Sequence, residues 1–145
     1  MAVRSAHTSW TGGVADGSGR VTLVSSGVGT FDVSFPKRIA DLADGTTSPE
    51  ELIAAAHSAC YSMALSSMIA KSGATPVGLE VDADVTLGPD PAGGLRIESV
   101  ALTVRGRVEG LDDDGFAKLA AEAKATCPVS KALTGTTVTL DAALA

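Results

Sequence analysis

Apolar and polar positions alternate at the start of the chain, shift to helical spacing in the middle, and then run through both patterns again. Ala6–Trp10 is a short, weak strand signal, and Arg20–Ser25 alternates through Val21 and Leu23. Thr30–Phe35 sets Phe31, Val33 and Phe35 on one face against Asp32 and Ser34 on the other. Glycine-rich turns separate these runs, which predicts an antiparallel meander. Residues 36–47 show no period and read as a loop carrying Lys37 and Arg38. A strong helix start follows, with Ser48 as N-cap, Pro49 at the first helical position and Glu51 completing a capping box. Glu50 and Glu51 also suit the positive end of the helix dipole. Apolar spacing through Leu52, Ile53, Ala56, Cys60, Met63, Ala64 and Met68 carries the helix to Lys71 and Gly73.

Two longer strands come next, over residues 78–87 and 95–108, joined by the turn Pro89–Gly94. A change of phase near Ser99 marks a bulge. Helical spacing returns from Asp113 to Thr126, with Phe116, Leu119, Ala120 and Ala123 on one face. Cys127 precedes Pro128 and is biased away from helical geometry. Pro128 opens a short helix through Leu133, and residues 136–140 form a last strand. Three strands, a helix, two strands, a helix and a strand make an α+β chain rather than a βαβ wind. The Cys60 helix is apolar over most of its circumference, which predicts a central helix or one shared with a partner subunit.

Composition narrows the function. A chain of 145 residues is read as one domain, 1–145, that folds without a disulfide or metal. A net charge of -6, with Lys and Arg scattered, argues against a nucleic-acid partner. Residues 1–7 lack the apolar segment of a secretion signal, and His57, Ser58, Ser62, Ser66 and Ser67 interrupt the most apolar helix. No bilayer-spanning stretch, no membrane partner and a cytoplasmic setting with reduced thiols are therefore expected.

The two cysteines, Cys60 and Cys127, are the candidate chemistry. Cys60 lies twelve positions past Ser48, roughly 18 Å along the axis, where the helix dipole has faded. A reactive Cys60 therefore needs a cation from elsewhere. Arg38 fits, because guanidinium stays charged when buried, and Glu50 is placed to hold it. Lys37 is the alternative cation. Three other readings stay open at this level. The thiols are inert core residues. His57, three residues before Cys60, forms a nucleophile–base pair with it. Cys60, Cys127, His57 and His7 bind zinc, although the pairwise spacing of structural zinc sites is absent.

The run Ser48-Pro49-Glu50-Glu51-Leu52-Ile53-Ala54-Ala55-Ala56-His57-Ser58-Ala59-Cys60, continued by Tyr61-Ser62-Met63-Ala64-Leu65, resembles the signature of the osmotically inducible protein C family. Cys127-Pro128-Val129-Ser130 resembles that family's second cysteine motif. The related organic hydroperoxide resistance proteins share both, and His57 with the nearby methionine favours the osmotically inducible branch. The resemblance covers nearly the whole chain. Tyr61 stands where the family often has Phe, and the stretch 38–47 follows no fixed family spacing.

The resemblance implies an OsmC-like fold, with antiparallel sheets packed around two main helices in an intertwined homodimer. It implies a thiol peroxidase in which Cys60 attacks an organic hydroperoxide and becomes a sulfenic acid. Cys127 then resolves it to a disulfide, and an external dithiol of lipoyl type reduces that bond. Glu50 matches the family carboxylate and Arg38 the arginine. No metal, flavin, heme or selenium cofactor is implied. An alkyl-lined pocket would favour organic hydroperoxides, with Phe35 and Phe116 as candidate lining residues. The competing function is a disulfide-switch sensor or binding protein that oxidises without sustained turnover.

Overall fold

The computed structural model describes residues 1–145 and divides into two compact units, Met1–Leu52 and Ile53–Ala145. In the first unit, β1 (His7–Thr11), β2 (Ser18–Thr22) and β3 (Thr30–Val33) form an antiparallel sheet in the order β1-β2-β3. This is the expected meander. Gly19 lets two strands and an indole pack closely: a Cβ there would lie 2.6 Å from the Ser9 carbonyl oxygen and 2.9 Å from Trp10.

The loop expected over residues 36–47 opens on a short helix, α1 (Phe35–Arg38). Ser34 caps it by accepting from the Lys37 N–H, and Pro36 lies in its first turn. One helical turn is too short to show a hydrophobic period, so only the Ser-x-Pro start announces it. Helix α2 (Pro49–Lys71) begins as expected, with Ser48 Oγ accepting from the Glu51 N–H at 3.1 Å. The capping box is not reciprocal, because the Glu51 carboxylate takes the Thr47 hydroxyl instead.

The second unit is built on β4 (Thr75–Pro89), β5 (Leu95–Glu109) and β6 (Thr137–Leu144), in the order β4-β5-β6. β4 and β5 pair antiparallel, and their register slips between Thr86 and Leu87, opposite Ser99 and Ile97. The bulge expected near Ser99 is therefore present, with Glu98 as the extra residue. β6 departs from the expected antiparallel arrangement and pairs parallel with β5. The crossover through α3 (Asp113–Thr126) and α4 (Pro128–Ala132) returns the chain to the same end of the sheet, and parallel strands need such a connection.

The core of this unit joins Tyr61, Leu65 and Ile69 of α2 to Val100, Leu102 and Val104 of β5 and to Phe116, Ala120 and Ala123 of α3. Phe116 is fully buried there, so it packs the core and does not line a pocket. The buried row of α2 is His57, Tyr61, Leu65 and Ile69, spaced by four. The spacing expected from sequence picked the neighbouring row through Cys60 and Met68. Alanine and serine elsewhere on the helix give too little contrast to fix the face. By length and composition α2 is apolar enough to cross a membrane, contrary to the expectation that no stretch reaches that limit. The buried row instead packs it on the core, and Met63, on the other side, is 73% exposed.

Candidate active site

The second unit brings the two cysteines together. Cys60 projects from the middle of α2, and Cys127 is the residue between α3 and α4. Pro128 starts α4 at once and keeps Cys127 extended, with φ -56 and ψ 125. The sulfurs are 3.2 Å apart and both are free thiols. Cys60 is half-buried and Cys127 is fully buried.

Their environments differ. Burial pushes the Cys60 thiol up; the Val129 N–H opposes this and the Cys127 sulfur reinforces it. Burial also opposes charge on Cys127, yet its thiol is held below the ordinary range. The polar groups of Ser130, the Cys60 sulfur and the Val129 backbone nearby outweigh that cost.

His57 does not form the expected pair with Cys60. Its ring is fully buried and its Nε2 lies 2.7 Å from Ser130 Oγ. Nδ1 has no hydrogen-bond partner. Burial pushes the imidazole below its ordinary range, which makes it neutral at pH 7. Ser130 was seen in the sequence only as the end of the second cysteine motif. Its hydrogen bond to His57 had no local signal, because 73 positions separate the two. Tyr61, one residue after Cys60, donates its hydroxyl to the Ala120 carbonyl at 2.8 Å. Burial above all, with the nearby Cys127 sulfur adding to it, keeps this phenol protonated far above the usual range.

The first unit holds the two candidate charged residues. Arg38, in α1, grips Glu50, in the first turn of α2, with Nε 3.1 Å from both carboxylate oxygens and a terminal nitrogen 2.6 Å from Oε1. Burial raises the Glu50 carboxyl, but hydrogen bonds led by Arg38 bring it below its ordinary value. The same hydrogen bond raises Arg38 further. Lys37, the alternative cation, pairs with the exposed Asp44 at 2.9 Å. A cavity of about 350 Å³ in this unit has mostly apolar walls, including Trp10, Val21, Val33, Phe35 and Leu52, with Arg38 among them. His7 is exposed on β1, and no three His, Cys, Asp or Glu side chains converge to hold a metal ion.

A family model described as OsmC-like protein matches residues 42–141. The Escherichia coli (strain K12) protein named peroxiredoxin OsmC is 39% identical over 132 residues, 91% of this chain and 90% of that one. The crystal structure of the organic hydroperoxide resistance protein OhrB of Bacillus subtilis superimposes with a TM-score of 0.75 at 31% identity, covering 95% of this chain and 97% of that one. An organic hydroperoxide resistance protein from Elizabethkingia anophelis gives 0.78 at 29% identity, with 99% of each chain covered.

Proposed function

Because the chain belongs to the OsmC-like protein family, we propose that it is a thiol-dependent peroxidase that reduces organic hydroperoxides to alcohols. The observation that carries this reading is the contact between two reduced sulfurs, 3.2 Å apart, one of them partly open to solvent. Its relatives' names, peroxiredoxin and organic hydroperoxide resistance protein, support it.

In this reading Cys60 is the attacking sulfur, since it is the more exposed of the two. Its thiolate bonds to one peroxide oxygen, the O–O bond breaks, and the alcohol leaves with a proton. Cys60 becomes a sulfenic acid. Cys127 then attacks that sulfur, the S–O bond breaks, and water leaves as the disulfide forms. A dithiol of lipoyl type reduces the disulfide by two exchanges. For the first step the proton shared across the short sulfur contact must rest on Cys127. The family resemblance assigns Arg38, held by Glu50, as the cation of the reaction. Apolar walls around Arg38 suit an alkyl hydroperoxide better than hydrogen peroxide.

The protein is read as one peroxidase domain that works as a homodimer in the cytoplasm, where thiols are kept reduced. The exposed stripe Ala55, Ala56, Ala59, Met63 and Ala70 of α2 supports a partner copy. The test is steady-state turnover of cumene hydroperoxide with dihydrolipoamide. Many turnovers per protein, lost in Cys60→Ser, fit the peroxidase. One oxidation followed by arrest fits a disulfide switch and sinks this reading.

A further inference from the structure

We propose that the hydrogen bond between His57 and Ser130 is a clamp that holds the Cys127 corner on α2 and so sets how readily Cys127 closes a disulfide with Cys60. The inference deepens the peroxidase reading, in which Cys127 must reach oxidised Cys60 before a second hydroperoxide does.

Cys127 goes where its two helices go. Its N–H donates to the Ala123 carbonyl of α3 at 2.8 Å, and its carbonyl accepts from the Lys131 N–H of α4 at 3.0 Å. Both helices are tied to α2 by long-range hydrogen bonds. The Tyr61 hydroxyl donates to the Ala120 carbonyl of α3, and His57 Nε2 lies 2.7 Å from Ser130 Oγ of α4. The two ties leave α2 on either side of Cys60.

These ties differ in what backs them. α3 also buries Phe116, Ala120 and Ala123. α4 has five residues, none of them fully buried, and no side-chain cap at its start. Such a segment opens locally at little cost. Val129 and Leu133 rest partly buried on the core, but apolar packing is non-directional and lets a short helix slide. A hydrogen bond fixes distance and angle, and His57 supplies one beside a sulfur contact of 3.2 Å.

The buried row of α2 agrees. Of His57, Tyr61, Leu65 and Ile69, the polar-tipped members are the two that flank Cys60. Burying an imidazole whose Nδ1 has no partner costs stability that a leucine would not. Position 57 therefore contributes placement rather than packing. His57 and Ser130 are positioning residues, acting through α4 and not on the reacting atoms.

The test equilibrates reduced protein across a series of glutathione ratios and reads the disulfide fraction by mass after alkylation. One S–S bond forms between Cys60 and Cys127, one breaks in glutathione disulfide, and two electrons and two protons pass to give two glutathione thiols. No hydroperoxide takes part. A residue that only stabilised the fold would weaken both redox forms alike and leave this equilibrium constant unmoved. Ser130→Ala and His57→Leu each lower the constant about five- to tenfold, the worth of one hydrogen bond, and the double variant is no worse than either alone. Ser130→Thr, which keeps the hydroxyl, restores the parent value. Tyr61→Phe loses less than Ser130→Ala, because α3 keeps its buried face. With excess cumene hydroperoxide, the two clamp variants accumulate sulfinic Cys60. An unmoved constant in Ser130→Ala overturns the inference. So does Ser130→Thr behaving like Ser130→Ala, or a larger loss in Tyr61→Phe, which would move the clamp to α3. A constant that falls as expected in a protein unable to reduce hydroperoxide keeps the clamp and removes the peroxidase reading.

Discussion

Glu50→Gln removes one charge from the Arg38 clamp and almost nothing else. The amide keeps the carboxylate's shape and one acceptor oxygen. Three nitrogen–oxygen contacts of 2.6–3.1 Å join the pair. Glu50 is 8% exposed, while the Arg38 side chain is 30% exposed. Exposed pairs contribute at most ~1 kcal/mol, and breaking a fully buried one costs ~3–5 kcal/mol. Solvent on the arginine side places this substitution near the lower end, at about 1–2 kcal/mol. The sign with pH follows from the carboxyl. Its folded-state value lies below the ordinary 4.5. The stabilisation is therefore complete above that ordinary value and fades as pH falls through the lower folded-state one. Urea unfolding at fixed protomer concentration should show parent and variant furthest apart at pH 7 and converging at a pH below the folded-state value of the carboxyl. An equal gap at both pH values would refute an ionised Glu50 in the clamp. Loss of orientation at Arg38 should also lower kcat/KM for cumene hydroperoxide about tenfold, or ~1.4 kcal/mol in the barrier.

Gly106→Ala should lower the unfolding midpoint by ~1–3 kcal/mol of stability. Its Cβ would meet the buried Phe116 ring at 2.7 Å and Leu79 at 3.2 Å. Asp112→Ala should cost ~1 kcal/mol in urea unfolding, because Asp112 Oδ1 caps α3 by accepting from the Gly115 N–H at 2.8 Å. Met63→Glu, on the exposed face of α2, should reduce the proposed homodimer to a monomer by light scattering with little change in circular dichroism. A dimer that survives this change would place the subunit interface elsewhere.

Strands β4 and β5 and helix α3 were legible because each has one buried face, and a buried face imposes a period on the sequence. Even the bulge at Glu98 showed as a break in that period. The partner of β6 was not legible: alternation says which face is buried, but not which edge or direction a strand joins. The face of α2 was hidden for another reason. His57 and Tyr61 occupy its buried row, while alanines and a methionine lie outside it. At the site, motif resemblance brought Cys60 and Cys127 together across 67 positions, which no local pattern could do. Which carboxylate each neighbouring cation takes was not legible either: Glu50 pairs with Arg38 and Asp44 with Lys37. Ser130 was missed because a hydroxyl carries no signal until a buried imidazole is placed beside it.

The central claim is two-cysteine chemistry at Cys60 and Cys127. Its most direct test is intact mass and free-thiol count after reduced protein meets one equivalent of an organic hydroperoxide. The account predicts rapid loss of both thiols and of two hydrogen atoms in mass. Cys60→Ser should leave Cys127 as a free thiol, and Cys127→Ser should gain oxygen at Cys60. Two thiols that survive in the parent protein, or a reaction that persists in Cys60→Ser, would contradict it.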